Sequence, residues 1–429
     1  MSAFLKMFDK WELLKQAVYY FLFILLIWGG SNKFGKKKEF HDDYASMDVM
    51  KSLRGLAAIG VILHHISQEQ IFQDRKILSP FVNAGAYFVA IFFFCSGFGL
   101  IKSLDTKKDY LKGFVKNRIV KAIIVPFYVN VIIYGIAAYI GGAKWPKEKW
   151  LLNFSGLTMM NLYAWFPIVL ALLYFMFFIL FRFVKIRPLC FALMGIFIVG
   201  LGMVFCYNGH FAWWSGPKNW WLDWSHPNTI WWKEQKVLWF NGEWWVNSAI
   251  AFLIGLIFAN YEKQLVGWFQ RLYALKFHIL LILTIVAFKL SDFGQQHFSY
   301  WTEYSGKGPG IEDKIKTYFC QLPLFILLGV LVIVFMMKYH VSNPVTRFFG
   351  KFSLDTYLMN LMAIQCFRFL QQDRTSPIKA GRYNPLIYGL AVMAGSVVLG
   401  VAEKYLTDGV KFLLFPKKKK VAEKKDASV

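Results

Sequence analysis

The sequence predicts an all-α polytopic membrane protein, a bundle of about ten core transmembrane helices preceded by one extra N-terminal hydrophobic helix. The 429 residues are 57% hydrophobic and 17% charged, with a mean hydropathy of +0.42, whereas soluble domains are about a quarter charged. Several apolar stretches reach or approach the roughly 20 residues that a helix needs to cross a bilayer. Because no polar stretch is long enough to fold alone, a single bundle is favoured over two soluble domains.

The predicted elements follow one another with short polar links. The first hydrophobic stretch, 16–30, either crosses the membrane or lies at its surface, since it lacks the small-residue cleavage pattern of a removed signal peptide. Three regions result: an N-terminal helix and basic linker over 1–46, a transmembrane domain over 47–403, and a basic tail over 404–429. The core spans are predicted near 54–71, 81–101, 119–141, 156–181, 188–207, 244–260, 276–290, 315–338, 353–371 and 384–403.

The charge distribution predicts an orientation. Net charge is +24, but the basic residues lie between the hydrophobic spans, so anionic lipid headgroups explain them better than nucleic acid does. One set of alternate loops, which includes the tail, holds 28 Lys and Arg, and the opposite set holds 13. The positive-inside rule therefore predicts a cytoplasmic C-terminus in an integral protein of the plasma membrane.

The cysteines and tryptophans give weaker signals. The five cysteines lie in or beside apolar segments without metal-like spacing, so neither a disulfide framework nor a metal cofactor is expected. The predicted extracytoplasmic loop 208–245 is rich in tryptophan, and two interpretations stay open: an interfacial aromatic belt, or a platform that stacks on sugar rings. Its ten tryptophans are Trp213, Trp214, Trp220, Trp221, Trp224, Trp231, Trp232, Trp239, Trp244 and Trp245.

The first core span carries ionisable residues at membrane depth. At 100° per residue, Arg54 and His65 share one face of a helix and lie roughly 16 Å apart along its axis, whereas His64 points about 80° away. Such groups usually face a cavity and mark a pathway or a reaction site. The alternative is that a histidine only satisfies a polar neighbour in the bundle.

Two further stretches combine small or basic residues. "FFFCSGFGL" places Ser96 and Gly97 near the cytoplasmic end of its span, where they either allow close helix packing or form a slot for a narrow ligand chain. "VKNRIVKAIIVP" places Arg118 and Lys121 three residues apart, on one face of a helix start. Paired cations of this kind bind phosphates, although topology alone also explains them.

In this order, "SLRGLAAIGVILHHIS", "FFFCSGFGL" and "FVKNRIVKAIIVPFY" resemble the opening helices of the acyltransferase-3 family, and "FFGKFSLDTYLMN" resembles a later helix start of that family. The family comprises membrane acyltransferases that commonly O-acylate cell-envelope polysaccharides. Its arginine, ten intervening residues and histidine match Arg54 and His65. The other matching positions are Ser96, Gly97, Phe98, Arg118, Lys121, Gly350, Ser353 and Tyr357.

The sequence also departs from the family pattern. The second residue of the basic pair is usually arginine, and Lys121 keeps the charge but loses bidentate geometry. The late helix often carries a histidine where this chain has Asn360, so no role is carried over there. The tryptophan-led segment of the fourth family helix keeps Trp165 but lacks its glutamate. We expect no soluble esterase-like domain after the bundle.

The resemblance implies a donor, an acceptor and roles for residues. The donor is cytoplasmic acetyl-CoA or another acyl-CoA, and the acceptor is a hydroxyl of an extracytoplasmic polysaccharide or glycolipid. Arg54, Arg118 and Lys121 are expected to bind the phosphates, and the pantetheine arm to pass Ser96 and Gly97. His65 is expected to be the general base or a transient acyl carrier.

Several questions stay open at this stage. The residue that orients His65 is undecided, with Glu69 and Glu243 as weak candidates. Acyl-CoA, the glycan and membrane lipids are the expected partners, nucleic acid is not, and a protein partner is left open. A transporter or flippase for a lipid-linked sugar is the alternative function, with the same residues lining its pathway.

Overall fold

The computed structural model describes residues 17, 19–24, 30–36, 38–214, 243–298, 311–370 and 385–416. In these residues the secondary structure is almost entirely helical, and the strands β1 (Ser31–Asn32) and β2 (Tyr339–His340) form one antiparallel pair. The helices are α1 (Met47–Ser67), α2 (Gln70–Gln73), α3 (Gly85–Thr106), α4 (Val125–Ile140), α5 (Lys147–Phe154), α6 (Trp165–Phe183), α7 (Arg187–Trp214), α8 (Ile250–Asn260), α9 (Glu262–Gln270), α10 (Tyr273–His297), α11 (Ile311–Met336), α12 (Pro344–Lys351), α13 (Ser353–Cys366) and α14 (Pro385–Leu414).

The predicted all-α membrane bundle is confirmed, but the count of ten core spans is not. Within the described residues, eight helices are long and apolar enough to cross a membrane. A ninth is counted if α8 and α9, which meet at an 86° bend, form one broken span. The eight are α1, α3, the Val115–Ile140 helix that contains α4, α6, α7, α10, α11 and α14.

Two predicted spans are shorter as helices than their apolar sequences suggested. The span near 244–260 forms α8, whose 11 residues end at Asn260, where the chain turns into α9. The span near 353–371 forms α13, which has 14 residues. At 1.5 Å per residue α13 is about 21 Å long, less than the roughly 30 Å of hydrocarbon that a span must cross.

The ends of the predicted regions also differ. The predicted boundary between 403 and 404 falls inside α14, which continues to Leu414. Seven of the 15 residues of the N-terminal stretch 16–30, the tail beyond 416 and most of the tryptophan-rich loop lie outside the described residues. Trp244 and Trp245 are described, and both rings lie against Trp165 at the start of α6.

Close helix contacts place α1 at the centre of the bundle. Sixteen of its 21 residues are buried. It runs antiparallel to α3, with Gly60 against Phe88 and His64 against Gly85. At its other end α1 packs on α12 through a glycine pair, where a Cβ on Gly55 would lie 1.9 Å from the Thr346 carbonyl oxygen.

The segment before α4, Val115–Ile124, is π-helical and runs directly into that helix. Only Ile119 and Ile123 are buried in this segment, which gives it an apolar stripe against the bundle and a basic outer surface. Pro126 lies in the first turn of α4, where its missing N–H costs little.

Candidate active site

A cavity of about 190 Å³ lies inside the bundle, between α1, α3, the π-helical segment, α6 and α13. One water needs about 10–15 Å³ by this type of measure, so the cavity holds on the order of a dozen waters or a narrow ligand chain. Its lining residues are Arg54, Val89, Phe92, Ser96, Arg118, Ala122, Ile123, Phe166, Pro167, Leu170, Tyr174, Ser353, Leu354 and Tyr357.

Two arginines make this cavity cationic, and none of its described lining residues is acidic. In the described part of the chain the Nε of Arg54 is buried without a hydrogen-bond partner. The Arg118 guanidinium lies 5.6 Å from the ring centre of Tyr110, and its nitrogen Nη2 is 3.5 Å from the Ser103 hydroxyl. Two half-buried guanidinium groups beside a cavity without acidic lining residues favour an anionic ligand there.

Ser96 belongs to the same cluster. Its hydroxyl interacts with that of Tyr174, which also lies near both arginines. Ser96 and Arg54 thus face one space from antiparallel helices, as the sequence-based hypothesis of a shared ligand site requires. Tyr174 was missed, because a tyrosine in an apolar span looks like any core aromatic.

Gly97 and Lys121 are not among the residues that line the cavity. A Cβ on Gly97 would lie 2.1 Å from the Phe252 carbonyl oxygen, and one on Gly255 would lie 2.2 Å from that of Phe94. Gly97 therefore allows α3 and α8 to cross closely, which is the packing alternative for this motif. Lys121 points away from the cavity, with its ammonium 4.7 Å from the ring centre of Phe415.

His65 lies in the last turn of α1 and is held by a chain of hydrogen bonds. Its Nδ1 is 2.7 Å from Asn360 Oδ1, and both side chains are buried. Asn360 Nδ2 donates to the Ser396 hydroxyl at 3.0 Å, and that hydroxyl donates to the Val392 carbonyl at 2.7 Å. The residue that holds His65 is therefore an amide on α13. Glu69, one of the two weak candidates, instead interacts with Tyr388.

This chain determines which nitrogen of His65 carries the proton. Because the Ser396 proton goes to Val392, its oxygen accepts from Asn360, and the Asn360 amide oxygen must face His65. Nδ1 then carries the hydrogen and Nε2 keeps its lone pair. In the described part of the chain Nε2 makes no hydrogen bond, so it is free to accept a proton.

Two tyrosines connect His65 to the cavity. Tyr163 stacks on the imidazole with ring centres 3.6 Å apart and planes within 11°. The Tyr357 hydroxyl donates to the Tyr163 carbonyl, and the Tyr357 ring lies 6.4 Å from His65. Since Tyr357 also lines the cavity, His65 lies directly behind one wall of it. His64 bonds the Phe81 carbonyl at 2.9 Å through Nδ1 and does not belong to the His65–Asn360–Ser396 chain.

A family model described as an acyltransferase domain, that of the acyltransferase-3 family, matches residues 47–402. The chain belongs to this family. No curated protein and no solved structure matched the chain. The acyltransferase-3 domain contains the cavity, both arginines and the whole His65–Asn360–Ser396 chain. Family membership and the helical bundle support a membrane acyltransferase.

Proposed function

We propose that this membrane acyltransferase moves an acyl group, an acetyl group in the simplest case, from cytoplasmic acyl-CoA to a hydroxyl of an extracytoplasmic polysaccharide or glycolipid. The observation that carries the proposal is the cavity with two arginines, one wall of which is formed by Tyr357, whose ring lies 6.4 Å from that of His65. A cation cluster suits the phosphates of the donor, and an imidazole lone pair suits proton removal from the acceptor.

The donor enters from the basic, cytoplasmic end of the bundle. Arg54 and Arg118 bind phosphate oxygens, since a guanidinium presents several donors in a fixed plane. The acylated arm passes Ser96 towards Tyr357. Along α1 the eleven residues from Arg54 to His65 span about 16 Å, so phosphates and thioester occupy opposite ends of the site.

Acyl transfer then needs one proton relay. His65 Nε2 takes the proton of the acceptor hydroxyl while the oxygen of that hydroxyl forms a bond to the thioester carbonyl carbon. The carbon–sulfur bond breaks, and the CoA thiolate receives the proton from the imidazolium. The Asn360 oxygen, 2.7 Å from Nδ1, keeps the ring in the required tautomer throughout. A positioned base of this kind contributes about 10²–10⁴-fold to the rate.

The alternative chemistry within the same site is brief acylation of His65 itself. The first route predicts no acyl-enzyme, whereas the second predicts acyl label bound to protein after acid quench when the acceptor is absent. In both routes the phosphates occupy the arginine end of the cavity.

The decisive experiment uses full-length protein purified in detergent, radiolabelled acetyl-CoA and an envelope extract as acceptor. His65→Ala should lose acyl transfer by at least 10²-fold and still bind acetyl-CoA. His64→Ala is the matched control, because His64 is the adjacent residue and bonds only outside the site. Undiminished transfer by His65→Ala would overturn the assignment, and failure of the wild type to bind any acyl-CoA would favour the transporter.

A further inference from the structure

A second cluster of functional side chains lies outside the acyl-transfer site, at the predicted cytoplasmic end of the bundle. His41 and Asp43 come from the linker that precedes α1, and His340 is the last residue of β2. The pairing of β1 with β2 places Ser31 opposite His340 and so draws the linker across the loop between α11 and α12. One ligand atom from each of the three side chains lies within 4.8 Å of the other two.

We infer that His41, Asp43 and His340 form a binding site for a divalent transition-metal ion of the Zn²⁺ type. Two imidazoles and one carboxylate are ligands that zinc accepts, with water in the fourth position. The linear sequence gives no metal motif, because the two histidines are about 300 residues apart in the chain, and the β1–β2 pair brings their segments together.

The nitrogen atoms are arranged as metal ligands require. His41 Nε2 lies 3.1 Å from the Ser31 carbonyl oxygen and donates to it, so that Nδ1 holds the lone pair in this tautomer, and the Lys338 carbonyl also lies near the ring. A backbone carbonyl in that role is typical of metal-binding histidines. His340 Nε2 is buried and has no hydrogen-bond partner in the described residues, although it lies 3.1 Å from Asp43 Oδ1.

The distances need only a local adjustment to close on a metal. Tetrahedral bonds of 2.0–2.1 Å place ligand atoms about 3.4 Å apart, so the His340–Asp43 pair is already close to that spacing. The two imidazoles are stacked, with centres 3.8 Å apart and planes 24° apart. One ring must rotate about its Cβ–Cγ bond, because a metal lies in the plane of each imidazole that it binds. Asp43 is 65% exposed, which leaves room for water as the fourth ligand.

The surrounding charges are compatible with this site. The ammonium groups of Lys33 and Lys338 donate to carbonyls of residues 36–40, so they fix the linker, and the Asp43 carboxylate offsets their charge at the metal.

The test measures metal binding by full-length protein in detergent after removal of any affinity tag and of metal by a chelator. Zn²⁺ is the probe for stoichiometry by elemental analysis, and Co²⁺ reports coordination through its visible absorption. We expect one Zn²⁺ per chain and at least a tenfold loss of affinity in His340→Gln and in Asp43→Asn. His278→Gln is the matched control, because His278 is exposed and bonds a carbonyl of its own helix; it should bind like the wild type.

Folding of each variant is checked independently by thermal melting. Zn²⁺ should raise the melting temperature of the wild type and of His278→Gln, because a ligand that binds the folded state stabilises it, and should leave His340→Gln unchanged. Equal Zn²⁺ binding in wild type and His340→Gln, or no Co²⁺ band in the wild type, would overturn the proposal. The site does not depend on the acyl-transfer assignment, since its readouts are metal content and melting temperature.

Discussion

The hydrogen bond between His65 and Asn360 gives the sharpest test of the proposed chemistry. Replacing Asn360 by leucine keeps the volume close to that of the amide and removes the oxygen that lies 2.7 Å from Nδ1. Asn360 is fully buried and His65 is 7% exposed, so no bulk water can take over. Nδ1–H is then left without an acceptor, at a cost of about 1–3 kcal/mol, or the proton moves to Nε2 and the base is lost.

Both outcomes follow from a loss of stability of the reactive tautomer of His65, in which Nε2 holds the lone pair. A cost of 1–3 kcal/mol corresponds to about 5- to 150-fold in rate. We expect kcat to fall by that factor in Asn360→Leu, while acetyl-CoA binding stays within twofold of the wild type, because Asn360 is not among the residues that line the cavity. Thiol release from acetyl-CoA measures kcat, and equilibrium binding of labelled acetyl-CoA measures affinity.

Ser396 extends the test. Without the Ser396 hydroxyl, the Asn360 amide can rotate by 180° and donate to His65. This reversal loses about one net hydrogen bond, or about 1 kcal/mol. Ser396→Ala should therefore lower kcat about fivefold, and the double variant should match Asn360→Leu because the two residues act in one chain. Ser67→Ala is the control, a buried serine bonded only to the His64 carbonyl. Wild-type kcat in Asn360→Leu, or additive losses in the double variant, would refute the reasoning.

Three further predictions concern residues in and around the site. Arg54→Gln should weaken acetyl-CoA binding about 10- to 150-fold, which is what the loss of a hydrogen bond to a charged group costs. Lys121→Gln is the control and should leave the affinity unchanged in the same equilibrium binding measurement. Equal losses of affinity in the two variants would contradict the cavity assignment. Gly97→Ala should lower the melting temperature in detergent, because its Cβ would lie 2.1 Å from a backbone oxygen, at a cost of about 1–3 kcal/mol. Gly99→Ala, with open space around its Cβ, should melt like the wild type, and the opposite order would be inconsistent with the helix crossing. Tyr163→Leu should lower kcat about 2- to 10-fold through loss of a ring stack worth about 0.5–1.5 kcal/mol. Tyr163→Phe keeps the ring and should keep the wild-type kcat. A larger loss of kcat in Tyr163→Phe than in Tyr163→Leu would assign the effect to the hydroxyl instead.

Helical phase predicted the relation between Arg54 and His65 from the sequence. Both residues do lie on the side of α1 that faces the cavity region, with Arg54 in the lining and His65 behind Tyr357. The prediction succeeds because an eleven-residue spacing fixes an angle that packing does not change. The same helical phase places His64 on a different face of α1 from Arg54 and His65, and there it bonds the Phe81 carbonyl.

Other features could not be read from spacing. Arg118 and Lys121 were expected on one face of an α-helix, but their segment is π-helical, and its wider turn directs residues three apart in different directions. Asn360 and His65 are 295 residues apart in the chain, so their contact depends on tertiary packing alone. Hydropathy also does not show where a helix begins: residues 244–249, predicted as part of a span, form a 3₁₀ turn and further turns before α8 starts at Ile250.

The short helix α13 has a consequence for the acceptor. Its 14 residues end at Cys366, and polar side chains are exposed at Gln365 in its last turn and at Arg368 just after it. Such groups are costly in hydrocarbon, so we expect water and headgroups to reach down to this end of α13. Moving a sugar hydroxyl into an apolar medium without a hydrogen bond costs about 4–8 kcal/mol. In the proposed function, a bilayer thinned at this end of α13 would let a glycan present its hydroxyl to the imidazole while the rest of the glycan keeps its hydration.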